Sequence, residues 1–171
     1  MKERAGAVKL QGNPFTLLGD SPEVGKAAPD FTVLDNDLNP VGLGGFKGKV
    51  LLIASVPSLD TPVCDLETHI FNEKAAALGE RVQILTVSMD LPFAQKRWCG
   101  AAGIDKLKTV SDHREASFGL GYGVLIKELR LLARAVFVVD AEGVLRYSTL
   151  VEEIATEPDY EAVLDEVKKL L

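Results

Sequence analysis

The segment Lys49-Val50-Leu51-Leu52-Ile53-Ala54-Ser55-Val56 constrains this chain more than any other. It is almost wholly apolar and shows no alternation, so it has no face to offer to water and reads as a strand buried on both sides of a sheet. A strand of that kind needs layers above and below it, which points to an α/β architecture with helices on both faces. Pro57 ends the run, and a helical pattern follows in which Leu66, Ile70 and Ala77 share one face, with Phe71 and Leu78 beside them and Gly79 closing it.

The rest of the chain fits around that unit. Arg81 to Ser88 reads as the next strand, and Pro92 to Ala102 as a shorter helix bounded by Gly100 and Gly103. Leu107 to Val110 is expected as a short strand and Ala116 to Tyr122 as a helical turn among glycines. Ahead of the central strand, apolar stretches flank Gly12-Asn13-Pro14 and Asn36-Asp37, as in β-hairpins. Ala133 to Val139 and Val144 to Val151 form a further hairpin around Asp140-Ala141-Glu142-Gly143. Asp159 to Leu171 is an amphipathic helix with Ala162, Leu164 and Val167 on its apolar side. No repeat, linker or low-complexity segment divides the chain. With 171 residues, 47% hydrophobic and 26% charged, residues 1–171 are expected to form one domain.

Charge narrows the partners. A formal charge of -6 and a pI near 5.0 give no basic face for nucleic acid or anionic membranes. No apolar run approaches the roughly 18 residues of a membrane span, and Met1 to Leu18 lacks the basic and apolar regions of a secretory signal, so the expected location is the cytoplasm. In that reducing compartment the two cysteines, Cys64 and Cys99, need an explanation other than a structural disulfide. With His69 and His113 they lack the spacing of a zinc site, and no cofactor or metal is expected.

The chemistry concentrates in Pro57-Ser58-Leu59-Asp60-Thr61-Pro62-Val63-Cys64-Asp65, where the buried strand hands over to the helix. With Thr61 as N-cap and Pro62 in the first helical position, Cys64 falls on the third helical residue, among unpaired backbone amides. The helix start favours a thiolate by about 0.3 to 2 kcal/mol, which alone leaves much of the thiol protonated at neutral pH. Asp65 and Glu67 oppose the thiolate, so a cation must outweigh them. Arg134, interrupting the apolar Leu131-Leu132-Ala133-Arg134-Ala135-Val136-Phe137, is the candidate, with Arg130 the alternative. On pattern alone Arg134 has a competing reading as an exposed strand end, Cys64 as an inert buried cysteine, and Thr61 as a plain cap. Cys99 sits towards the end of its helix, where the macrodipole opposes a thiolate, so the two thiols are electrostatically unequal. Met89, Phe93 and Trp98 read as core or pocket wall, and His69 as structural.

Pro57, Thr61 and Cys64 together reproduce the Pro-x-x-x-Thr-x-x-Cys motif of peroxiredoxins. With Gln11-Gly12-Asn13-Pro14, Asp90-Leu91-Pro92-Phe93-Ala94-Gln95, Cys99-Gly100, Ala133-Arg134-Ala135-Val136 and Glu157-Pro158-Asp159-Tyr160-Glu161, the chain resembles the thiol peroxidase subfamily, the atypical two-cysteine peroxiredoxins, nearly end to end. The resemblance implies a thioredoxin-like fold with an added N-terminal hairpin, a homodimer, a hydroperoxide substrate and thioredoxin as reductant. It makes Cys64 the peroxidatic and Cys99 the resolving cysteine, with Pro57, Thr61 and Arg134 binding and polarising the peroxide. Two other readings compete. A thiol-disulfide oxidoreductase would need a second cysteine where Thr61 stands. A redox sensor would use a disulfide between Cys64 and Cys99 to switch a partner, without turnover.

Overall fold

The computed structural model describes residues 1–171. In chain order its strands are β1 (Glu3–Leu10), β2 (Asn13–Leu18), β3 (Thr32–Leu34), β4 (Pro40–Gly42), β5 (Val50–Ser55), β6 (Val82–Ser88), β7 (Lys108–Ser111), β8 (Leu125–Ile126), β9 (Ala135–Val139) and β10 (Leu145–Leu150). The helices are α1 (Pro62–Leu78), α2 (Pro92–Ala102), α3 (Ser117–Gly121) and α4 (Tyr160–Lys168). Seven strands form one sheet in the order β10-β9-β5-β6-β7-β3-β4, and β1, β2 and β8 form a smaller one. β5 runs parallel to β6 and β6 to β7, while β9 pairs antiparallel with β5. All six residues of β5 are buried, as its apolar run requires of a strand covered on both faces.

The two faces are packed differently. Leu52, Ala54, Ile84, Val136 and Val138 meet Phe71 of α1, Val163 and Val167 of α4, and Trp98 of α2. The opposite face, with Leu51, Ile53, Leu85, Val87 and Phe137, is closed by Phe118 and Tyr122 around α3 and by Val8 and Leu17 of the small sheet. Helices therefore lie on both faces, but one face carries three of them and the other a single short α-helix and a 3-10 turn at Leu43–Phe46, reinforced by the N-terminal hairpin. Phe118 and Tyr122 stack at 4.4 Å, and Tyr122 meets Phe137 edge-on at 4.9 Å, which ties this layer to β9.

Four local expectations are corrected. The first hairpin turns at Gln11-Gly12, with φ of 51° and 81°, because Glu153 accepts both amides at 2.9 and 3.2 Å and leaves Asn13 and Pro14 free to open β2. The buried side of α1 is Cys64, Glu67, Thr68 and Phe71, whereas Leu66 is 46% exposed and Ala77 faces solvent. Two polar residues inside the buried stripe misdirect a reading by hydrophobicity. Phe93, expected in the core or a pocket wall, is 67% exposed, because α2 turns Pro92, Gln95, Trp98, Cys99 and Ala102 inward instead. On α4, Val163 rather than Ala162 joins Leu164 and Val167 in the core.

Candidate active site

The site forms where β5 and β6 end and α1 and α2 begin. Thr61 has extended backbone angles and Pro62 opens α1, so Cys64 is its third residue. Thr61 is the N-cap by position, yet its hydroxyl caps no amide. It donates to the Ser58 carbonyl at 2.9 Å, so its proton is committed and its lone pairs are free. Thr61 makes no hydrogen bond to Cys64.

Cys64 is fully buried, packed with Val56, Leu59 and Trp98. Its sulfur accepts a hydrogen bond from Arg134 Nη2 at 3.1 Å, and the backbone amides expected around it make none. Arg134 is only 2% exposed and is the largest of the fully buried side chains. The exposed strand-end reading of Arg134 is thereby excluded. Arg130 stays on the surface with a φ of 55°, away from the sulfur. The Arg134 guanidinium is held in one plane: Nε donates to the Ile154 carbonyl at 2.9 Å, Nη1 pairs with Glu67 Oε2, and Nη2 is left for Cys64.

Glu67 therefore does something its position in sequence did not suggest. Read only as a charge beside Cys64, it opposes a thiolate; in the structure its carboxyl is the partner that anchors the cation facing the sulfur. Its carboxyl is fully buried and Oε1 has no hydrogen-bond partner. Burial outweighs the nearby Arg134 and pushes its pKa up to about 7. Burial works against the Arg134 charge too, but Glu67 and Cys64 beside it more than compensate and hold its pKa above the ordinary value. Asp65 turns away from the sulfur and accepts the Trp98 indole N–H at 3.0 Å, with His69 3.7 Å from the same oxygen.

A cleft of about 290 Å³ opens over this group. Pro57, Thr61 and Arg134 line it, with Leu10, Ile126, Leu129, Leu131 and Ile154 supplying an apolar wall. The structure thus brings Pro57, Thr61, Cys64 and Arg134 together. It keeps Cys99 apart. The Cys99 sulfur lies 3.2 Å from Thr109 Oγ1, whose own proton is given to Asn36 Oδ1 at 3.1 Å, so the thiol is the donor of the first contact. Cys99 borders a separate groove with Asn36, Ile104 and Lys108, and both cysteines are free. Sequence reasoning missed the partnership of Glu67 with Arg134 and the link from Trp98 to Asp65. The only signal for the first was an acid one turn after the cysteine inside an otherwise buried stripe.

An α/β sheet with a buried thiol at a helix start, set under a cleft and faced by a fixed cation, has clear counterparts. The family model described as Redoxin matches residues 23–164. The thiol peroxidase of Halalkalibacterium halodurans is 56% identical over 96% of this chain and 99% of its own length. That of Bacillus subtilis is 53% identical over 96% and 98%. A crystal structure of a peroxiredoxin-like protein from Aquifex aeolicus superposes with a TM-score of 0.91 at 47% identity, covering 98% of both chains. The chain belongs to the redoxin family and, within it, to the thiol peroxidases of the peroxiredoxin class. Its fold is the thioredoxin-like one that the resemblance implied, with the N-terminal hairpin added.

Proposed function

We propose that this thiol peroxidase reduces hydrogen peroxide and organic hydroperoxides with Cys64 as the attacking thiolate and Cys99 as the resolving thiol. The observation that carries the reading is the 3.1 Å hydrogen bond from a buried, fixed guanidinium to the Cys64 sulfur beneath a cleft bordered by Pro57 and Thr61. In the first step the Cys64 sulfur attacks the hydroxyl oxygen of the peroxide, the O–O bond breaks, and the sulfur becomes a sulfenic acid. Charge develops on the departing oxygen, which Arg134 stabilises before that oxygen takes a proton from solvent. Thr61, with its proton already given to Ser58, accepts the peroxide O–H and holds the reacting atoms in line. The apolar wall of the cleft suits the carbon chain of an organic hydroperoxide.

In the second step the Cys99 sulfur attacks the Cys64 sulfenic acid, water leaves, and one disulfide forms. Cys64 is buried against Arg134 while Cys99 borders a separate groove beside Thr109, so forming a disulfide, which needs Cα atoms roughly 4.4 to 6.8 Å apart, is expected to unwind the first turn of α1 and the Cys99 part of α2. A dithiol protein of the thioredoxin type then reduces the disulfide. The same proposal takes residues 1–171 as one domain, acting in the cytoplasm as a homodimer. No helix is long and apolar enough to cross a membrane.

Steady hydroperoxide consumption by the full chain supplied with thioredoxin, its reductase and NADPH tests the cycle. Turnover is expected to continue until NADPH is exhausted. A single stoichiometric burst followed by a stall would overturn the enzymatic cycle in favour of a sensor.

A further inference from the structure

The loop that carries Thr61 is held from the neighbouring strand by one carboxylate. Asp90 lies between β6 and α2. Its Oδ1 accepts the Ser58 hydroxyl at 2.7 Å, and its Oδ2 accepts the Leu59 amide at 2.9 Å. Oδ2 also accepts the Ser88 hydroxyl at 2.7 Å, and the Asp90 carbonyl accepts Ser111 Oγ at 2.5 Å, so the acid is braced from the ends of β6 and β7. Ser58 passes the restraint on. Its hydroxyl oxygen accepts the Asp60 amide at 3.2 Å, and its carbonyl accepts both the Thr61 amide at 3.2 Å and the Thr61 hydroxyl at 2.9 Å. A continuous path therefore runs from a fixed anion through Ser58 to the hydroxyl of Thr61, and hydrogen bonds to a carboxylate are about twice as strong as neutral ones.

Asp90 touches neither the Cys64 sulfur nor Arg134, and it does not line the cleft. It acts on where the loop sits, not on the charge around the sulfur. We infer that Asp90 is a positioning residue for peroxide reduction: by fixing Ser58 it commits the Thr61 proton to the Ser58 carbonyl and turns the Thr61 lone pairs towards the peroxide. The inference rests on the proposed role of Thr61. Alignment of this kind is sensitive, since displacing a reacting group by about 1 Å costs up to 10²-fold in rate.

The test uses the reduced full-length protein in single turnover. It compares the second-order rate with a hydroperoxide and the rate of alkylation by iodoacetamide, which needs the sulfur nucleophile but not the Thr61 alignment. Asp90→Ala is expected to slow the peroxide reaction by about tenfold or more while leaving alkylation unchanged. Ser58→Ala, which removes one hydroxyl at a half-buried position and leaves the core intact, is expected to move the same readout in the same direction. Asp90→Ala combined with Thr61→Val is expected to be no slower than Thr61→Val alone, because both act at one hydroxyl. Wild-type peroxide rates in Asp90→Ala and Ser58→Ala would overturn the inference. So would an equal fall in both reactions, or losses that multiply in the double variant. If Thr61→Val itself reacts at the wild-type rate, the role of Thr61 fails, and the inference falls with it by a result that does not involve Asp90.

Discussion

At the scale of single residues, the site depends on a cation whose partners are divided. Arg134 gives one nitrogen to the Ile154 carbonyl, one to Glu67 and one to the Cys64 sulfur, so losing any partner changes what the other two receive. Cys64, Thr61 and Arg134 were legible in sequence for physical reasons: a buried strand ending at a proline, a helix start, and a charge inside an apolar run. Glu67 was legible only as a nearby negative charge, because its partner is far along the chain and no local pattern reports a contact made by folding. Its titration has a definite sign. The folded pKa of about 7 lies above the ordinary 4.5, so its contribution to stability is full below about pH 4.5 and is lost as pH rises through about 7. Asp112, raised to about 6 by burial despite accepting the Phe118 and Gly119 amides, adds a change of the same sign. Glu67→Gln keeps the shape and an oxygen for Arg134 without the charge. It is expected to flatten the fall in stability between pH 5 and 8 by about 2 kcal/mol, measured as urea midpoints across that range. An unaltered pH slope would show that the Glu67 carboxyl does not titrate there.

At the scale of elements, the boundaries followed the punctuation of the sequence closely. Pro62, Gly79, Pro92 and Gly103 mark the ends of α1 and α2, and the turn at Asp140 to Gly143 separates β9 from β10. The buried faces of the helices were less legible. α1 buries Glu67 and Thr68 because each has a specific acceptor or donor, Arg134 for one and the Cys64 carbonyl at 2.7 Å for the other. Hydrophobic periodicity has no means of registering such a pair. α1 and α2 are joined at the point where the proposed disulfide would form, by the bond from the Trp98 indole to Asp65 and by Trp98 packing over the Cys64 cluster. Trp98 is the only tryptophan, so its emission reports this junction. Oxidation of the wild type is expected to change Trp98 fluorescence and to lower amide protection in the first turn of α1 and the second half of α2. In Cys99→Ser, peroxide should leave both nearly as in the reduced protein. Equal protection in reduced and disulfide forms of the wild type would rule out the unwinding.

At the scale of the whole molecule, the sheet order was within reach of sequence rules only in part. The β5-α1-β6-α2-β7 progression follows from alternating strand and helix patterns and gives the parallel core. The insertion of β9 beside β5 and the seating of the N-terminal hairpin over α3 come from long-range packing that no local pattern encodes. That insertion brings Arg134, just before β9, over the start of α1, so the topology creates the site. The proposed cycle gives the two thiols different tasks. Reduced wild type, Cys64→Ser and Cys99→Ser, each mixed with one equivalent of hydroperoxide and read by thiol titration and intact mass, test it most directly. Loss of two thiols and formation of one intramolecular disulfide are expected in the wild type, no reaction in Cys64→Ser, and a single oxygen added to Cys99→Ser. Peroxide reduction at the wild-type rate by Cys64→Ser would contradict it.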